Sequence, residues 1–340
     1  MRIPPIVSWI LTARCNMQCP HCYVSAGPAA PGELSGEERM AAARRLAEAG
    51  ATMVFLSGGE VLLLDDLNDL VAILRNGGVA VTICTNGSKL DQARAARLRK
   101  LGVSGISVSL DGALAAEHDH FRGIPGAYGM ALAAISAARS AGLRVNVDVT
   151  PTQAAGRGIG ALAWLCEQTG ADHLTVKRFR PSGRGALHSA QLQLSPPEYR
   201  QILDAVLARA GRTPLLLDVQ DPAFHVFARR RGADLSALNC SAANGCMAAR
   251  EWFGVQPDGA VTPCPLLPVA LGHVLEDDLP KLFARSGTVA AIRDRRQRHG
   301  RCGWCPHAED CGGCRSHAWA CSGDLLAEDP GCPIPEDLCS

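Results

Sequence analysis

Three cysteines stand within eight residues near the start of the chain, as Cys15-x3-Cys19-x2-Cys22. Clustered thiolates are ligands for soft metal centres. A cubane iron–sulfur cluster has four irons, so three cysteines leave one iron without a protein ligand. An open coordination position is where a metal centre binds and activates a small molecule. A zinc ion borrowing His21 as a fourth ligand is the other use of such a triplet. Zinc ribbons, however, are built from paired knuckles, and this triplet stands alone after an apolar run.

The other cysteines extend the argument. The chain has 15 in 340 residues; ten follow residue 239, and only Cys84 and Cys166 lie between the two groups. No long apolar segment with a cleavage site follows the basic start, so a cytoplasmic location is expected, where thiols stay reduced. The C-terminal pattern is Cys240-x5-Cys246-x17-Cys264, then Cys302-x2-Cys305-x5-Cys311-x2-Cys314, then x17 to Cys332. Eight cysteines suffice for two fully ligated four-iron clusters. A pair of zinc ribbons is the alternative. Cys84 and Cys166 are expected to be ordinary buried residues. Cys321 and Cys339 are left over, with Cys321 a candidate substitute ligand.

These residues need a scaffold. Six strand-like runs, at 6–11, 53–57, 80–85, 105–110, 144–150 and 173–179, alternate with Ala-, Arg- and Leu-rich helical stretches such as 36–49 and 92–101. Glycines at 50, 102 and 142 follow helices as stops should. Strand–helix alternation predicts a parallel sheet with right-handed crossovers. Six units make an α/β fold of the partial (β/α)6 TIM-like barrel type. Active sites of such barrels lie at the C-terminal ends of the strands. Those ends carry the Cys15–Cys22 loop, Ser57-Gly58-Gly59-Glu60, Thr85-Asn86-Gly87, Ser109-Leu110-Asp111-Gly112, Asp148-Val149-Thr150 and Lys177-Arg178-Phe179-Arg180. The expected division is 1–185 for the barrel, 186–238 for a helical bridge and 239–340 for a cysteine-rich domain stapled by metal. Ser195-Pro196-Pro197-Glu198 reads as the start of a bridge helix.

The run Cys15-Asn16-Met17-Gln18-Cys19-Pro20-His21-Cys22-Tyr23 resembles the signature of the radical S-adenosylmethionine (radical SAM) superfamily. The resemblance implies that the open iron chelates the methionine end of the cofactor. One electron then cleaves a carbon–sulfur bond, and a 5′-deoxyadenosyl radical abstracts a hydrogen atom from substrate. It places His21 near the adenine, Ser57, Gly58, Gly59 and Glu60 at the methionine amino group, and Ser109 and Asp111 at the ribose. Arg178 or Arg180, with Arg178 favoured, would hold the methionine carboxylate. Val61 stands where the family usually has proline. The C-terminal pattern resembles the SPASM extension, including Gly259 ahead of Cys264. That implies Cys240, Cys246, Cys264 and Cys314 for one auxiliary cluster and Cys302, Cys305, Cys311 and Cys332 for a second. Three [4Fe–4S] clusters, S-adenosyl-L-methionine and a reducing partner such as flavodoxin or ferredoxin follow from the resemblance.

Substrate class is less marked. Phe121-Arg122-Gly123, Pro181-Ser182-Gly183-Arg184-Gly185 and the C-terminal run through Asp329-Pro330-Gly331-Cys332 look like the haem and haem d1 branch, which reworks tetrapyrrole propionates. Maturation of a ribosomally made peptide is the rival, and a non-catalytic iron–sulfur or zinc protein a third reading. Only fourteen residues precede Cys15, so no fused peptide-recognition domain is expected, which favours a small molecule. Arginines in 178–184 could meet propionates. Arg229–Arg231 read rather as a solvated basic face. Asp148, Asp218 and Asp221 are the acid–base candidates by position. The formal net charge of +1 marks no nucleic-acid partner, and the apolar runs are too short to span a membrane.

Overall fold

The computed structural model describes residues 3–238 and 245–335. Strands β1 (Ile6–Ile10), β2 (Met53–Ser57), β3 (Ala80–Thr85), β4 (Gly105–Ser109), β5 (Arg144–Val149) and β6 (His173–Lys177) pair in parallel in chain order. Between them run helices α1 (Gly36–Glu48), α2 (Leu67–Asn76), α3 (Gln92–Lys100), α4 (Ala115–Arg122), α5 (Ala127–Ser140) and α6 (Ile159–Thr169). Local chemistry explains the boundaries. Ser35 and Glu38 form a reciprocal capping box at the start of α1, and Asp91 caps α3. Gly123 and Gly170, both left-handed, end α4 and α6.

In β4, β5 and β6 one face is apolar and the other largely polar, because successive side chains alternate. Ile106 and Val108, Val145 and Val147, and Leu174 and Val176 join the main buried cluster. Ser107 and Ser109, Asn146 and Asp148, and Thr175 and Lys177 line the cavity on the other face. A closed eight-stranded barrel fills its interior with bulky apolar layers. Here the concave side mixes polar with apolar side chains and encloses a cavity of about 530 Å³.

Two features extend the expected six units. The segment expected as a helical bridge does contain a helix, Pro196–Arg209, with the Ser195–Glu198 capping box, but it also supplies a seventh parallel strand, β7 (Leu216–Gln220), beside β6. Leu217 and Val219 face the core there, while Asp218 and Gln220 line the cavity. The segment beyond 239 was expected to lack a conventional core. Instead β8 (Trp252–Val255) pairs in parallel with β1, and β9 (Ala260–Thr262) and β10 (Gly272–His273) follow antiparallel. Phe253, Val255 and Val261 are fully buried in the same core as the barrel strands. The result is one ten-stranded sheet, ordered β10-β9-β8-β1-β2-β3-β4-β5-β6-β7. No helix among the described residues is long and apolar enough to cross a membrane.

Candidate active site

The loop after β1 carries Cys15, Cys19 and Cys22, and all three line the cavity. Backbone amides hold the sulfurs: Met17 donates to Cys15 Sγ at 3.4 Å and Ala26 to Cys22 Sγ at 3.3 Å. Arg122 Nη1 lies 3.7 Å from Cys19 Sγ. Burial, aided by nearby negative charge that includes Cys22, pushes the Cys15 and Cys19 thiols up. Buried sulfurs of this kind become thiolates when a metal centre supplies the compensating charge. Glu33 braces the loop, accepting from Thr12, Ala13 and Ala30 at 2.6–2.7 Å.

The Ser57–Glu60 turn packs directly beneath that loop. Gly59 and Glu60 donate their amides to the carbonyls of Thr12 and Arg14 at 2.7 and 2.8 Å. A Cβ on Gly58, whose φ is +143°, would run into the Thr12 carbonyl, and one on Gly59 into that of Arg14. These glycines are thus required by the cysteine loop's own backbone. The Glu60 carboxylate is buried and accepts from Leu62 N (3.0 Å), Thr85 Oγ1 (2.8 Å) and Asn86 N (2.7 Å), tying the ends of β2 and β3 together. Val61 opens a short 3-10 helix, a position where proline also fits, so the exchange keeps the turn's geometry.

His21 stacks on Phe121 with centroids 4.4 Å apart and planes 6° from parallel. Burial holds its imidazole down at about 4, so it is neutral at pH 7. Asp111 is buried, accepts from Thr150 N at 3.0 Å and pairs with Arg122 at 2.5 Å. Burial alone would raise its carboxyl, but Arg122 and the facing histidines outweigh that and keep it below its ordinary value. Ser109 lines the cavity beside it. Tyr23 donates to or accepts from Ser57 Oγ at 2.9 Å, and burial pushes its phenol up to about 12.

Both arginine-bearing motifs noted in the sequence hold this loop. Phe121 supplies the stacking surface and Arg122 the charge beside Cys19. Arg184 donates to the carbonyls of Cys19 (3.0 Å) and Ala26, and Gly185 N donates to Cys22 O at 3.2 Å. Gly183, at φ +54°, touches the Tyr23 carbonyl so closely that no side chain fits.

Arg178 is differently engaged from the expectation. Its guanidinium pairs with Asp221 at 3.0 Å and Asp329 at 2.6 Å and donates to Gly331 O at 2.8 Å. It is thereby a buried tie between β6 and the C-terminal segment, with its donors consumed by protein. Arg180 donates to Cys314 Sγ at 2.9 Å and to the carbonyls of Arg178 and Gln220. Arg122, not singled out as a cofactor contact in the sequence, is the guanidinium beside the Cys19 sulfur. Asp221 and Asp148 are likewise occupied, the latter by Lys177 at 2.6 Å. Buried Asp218 lines the cavity. Arg229–Arg231 are half-exposed; Arg229 pairs with Asp310 and Arg231 with Asp204, and Arg230 donates to His307.

Cys240 lies outside the described residues, as does Cys339. Cys246, Cys264 and Cys314 line the same cavity as the first three cysteines, whereas Cys302, Cys305, Cys311 and Cys332 do not. Cys264 feels the charges of Cys314 and Cys246, and burial lifts its thiol to about 12. Cys311 feels Cys332 and Cys302. Asp329 joins the two groups: it accepts from Cys314 N at 3.0 Å, while its own amide donates to Cys302 Sγ at 3.3 Å. Cys321 is exposed. Among the described residues no three His, Cys, Asp or Glu side chains close around a single metal ion. The cysteine groups are thus defined by their mutual electrostatics and amide contacts.

Residues 9–153 match the family described as the radical SAM superfamily, and residues 246–312 match SPASM, an iron–sulfur cluster-binding domain. An AdoMet-dependent heme synthase of Methanosarcina barkeri is 31% identical over 338 residues, covering 97% of this chain and 96% of that protein. A mycofactocin maturase of Mycobacterium tuberculosis is also 31% identical, covering 97% of this chain and 83% of its own. The crystal structure of Streptococcus suis SuiB bound to precursor peptide SuiA superposes with a TM-score of 0.79 at 15% identity, over 98% of this chain and 77% of that one. At that identity the likeness is one of fold.

Proposed function

The chain is a radical SAM enzyme with a SPASM domain, and from that membership we propose that it carries out oxidative modification or decarboxylation of a tetrapyrrole propionate. The observation carrying the proposal is that Cys15, Cys19 and Cys22 share one cavity with Cys246, Cys264 and Cys314. In the proposed assignment the first three hold the cofactor's cluster. Cys240, Cys246, Cys264 and Cys314 hold one auxiliary cluster, and Cys302, Cys305, Cys311 and Cys332 a second. When bound, reduced cluster and S-adenosylmethionine supply a 5′-deoxyadenosyl radical that abstracts a substrate hydrogen atom.

The chain's own residues bind and orient. Gly58 and Gly59 bring bare backbone to the cluster loop, where the methionine amino group would lie. Glu60 holds that turn rigid from below. Arg122 replaces Arg178 as the proposed carboxylate partner, because it stands beside Cys19 and a guanidinium suits a carboxylate. Neutral His21 on Phe121 would offer an apolar platform for the adenine, and Ser109 and Asp111 would border the ribose. The tetrapyrrole reading is supported by the heme synthase relative, matched over nearly its whole length. A peptide substrate is the second reading, favoured by the maturase relative. A small electron-transfer protein such as flavodoxin or ferredoxin would supply the electron.

The test is anaerobic incubation of reconstituted enzyme with the cofactor, a reductant and, separately, iron coproporphyrin or candidate precursor peptides. The expected result is 5′-deoxyadenosine formed together with a porphyrin that has lost carbon dioxide or hydrogen. Coupling to a peptide alone would overturn the tetrapyrrole assignment. No 5′-deoxyadenosine under any condition would overturn the enzymatic one.

A further inference from the structure

The polar face of the barrel holds a hydrogen-bonded chain that nothing in the cofactor site uses. Asp148 accepts from Ser107 Oγ at 2.5 Å and from Asn146 Nδ2 at 2.7 Å, and Asn146 in turn accepts from Thr175 at 2.8 Å. This fixes the Asp148 carboxylate, which accepts from Lys177 Nζ at 2.6 Å. Lys177 is the last residue of β6, so it stands at the catalytic end of the sheet. Its ammonium has three donors. One goes to Asp148; among the described residues no other acceptor is paired with it. Its side chain is 32% exposed, and it lines the cavity.

The neighbouring cations contrast with it. Arg122 pairs with Asp111 and is assigned to the cofactor, Arg178 is spent on two carboxylates and a carbonyl, and Arg180 on Cys314 and two carbonyls. Arg144 and His173 begin their strands and therefore sit at the opposite end. Among the described residues, Lys177 is thus a cation at this end of the cavity that the cofactor site leaves unassigned and that has donors to spare, held in place by a carboxylate that Ser107 and Asn146 hold in turn. Burial alone would weaken its proton affinity, but Asp148 more than compensates, so it stays an ammonium.

We propose that Lys177, positioned by Asp148, binds a carboxylate of the substrate inside the barrel and so selects which side arm faces the cofactor. The assignment rests on the tetrapyrrole reading and names the part of the substrate that enters. Two residues with opposite charges suit it: the fixed aspartate keeps the lysine extended, and the lysine's remaining donors point an anion to one place.

The experiment is equilibrium dialysis of the cluster-loaded enzyme with coproporphyrin III and, separately, with its neutral tetra-amide. Wild type is expected to prefer the acid by roughly 10- to 100-fold, the scale of one hydrogen bond to a charged group. Lys177→Met is expected to bind the two alike, and Lys177→Arg to restore part of the preference. Lys177→Met combined with Asp148→Asn removes the stranded carboxylate and guards against a folding defect. Retention of the full preference in the Met variants overturns the assignment. Equal binding of acid and amide by wild type also overturns it and leaves the tetrapyrrole reading standing. No binding of either by wild type overturns the tetrapyrrole reading itself.

Discussion

Gly59 shows how one residue type can be demanded by a neighbour's backbone rather than by a ligand. The Arg14 carbonyl occupies the space a Cβ would need, so Gly59→Ala must push the cysteine loop off the β2 turn. The expected outcome is a folded protein that loses about four irons per chain, one cubane's worth, measured by iron analysis alongside circular dichroism. The glycine pair was legible in the sequence as part of a motif, but its reason was not, because the Thr12–Arg14 backbone meets it only in three dimensions. Arg122 was legible as part of a motif too, yet its place beside Cys19 depends on how α4 returns over the loop. The engagement of Arg178 was not legible in the sequence, for a physical reason. Strand alternation places residues 178 and 180 on one face, but it says nothing of Asp221 and Asp329, which reach Arg178 from 43 and 151 residues further on.

Among the elements, those with strong local signals were legible. The six expected strands and the capped helices lie where apolar runs, cap residues and glycine stops put them. β7 was hidden because its five residues sit alone between helices, and β8 because cysteine, glycine and proline surround it. Local signals also set the size of element-scale effects. Ser35→Ala removes the α1 cap and should cost about 1 kcal/mol in chemical unfolding of the apo protein. Arg229→Ala breaks a pair that is half-exposed on both sides and should cost at most about 1 kcal/mol in the same measurement. The Arg229 segment is therefore a modest clasp between its helix and Asp310 rather than a docking surface for propionates.

For the whole molecule, the two cysteine groups are joined through Asp329, with only one of them at the cavity. That arrangement suits a relay that draws an electron away from the substrate after hydrogen abstraction. Cys311→Ala is expected to lower iron from about twelve to about eight per chain, to keep 5′-deoxyadenosine formation and to abolish product. Intact product formation at eight irons would assign the outer group a purely architectural role. The pairing of β8 with β1 has a further meaning for how the protein is made. Ile6 finds its partner Trp252 only after some 245 intervening residues have left the ribosome. Until then the strand that feeds the first cysteine loop has one bare edge, open to other chains. Newly made chains are accordingly expected to be most prone to edge-to-edge association until β8 has been made.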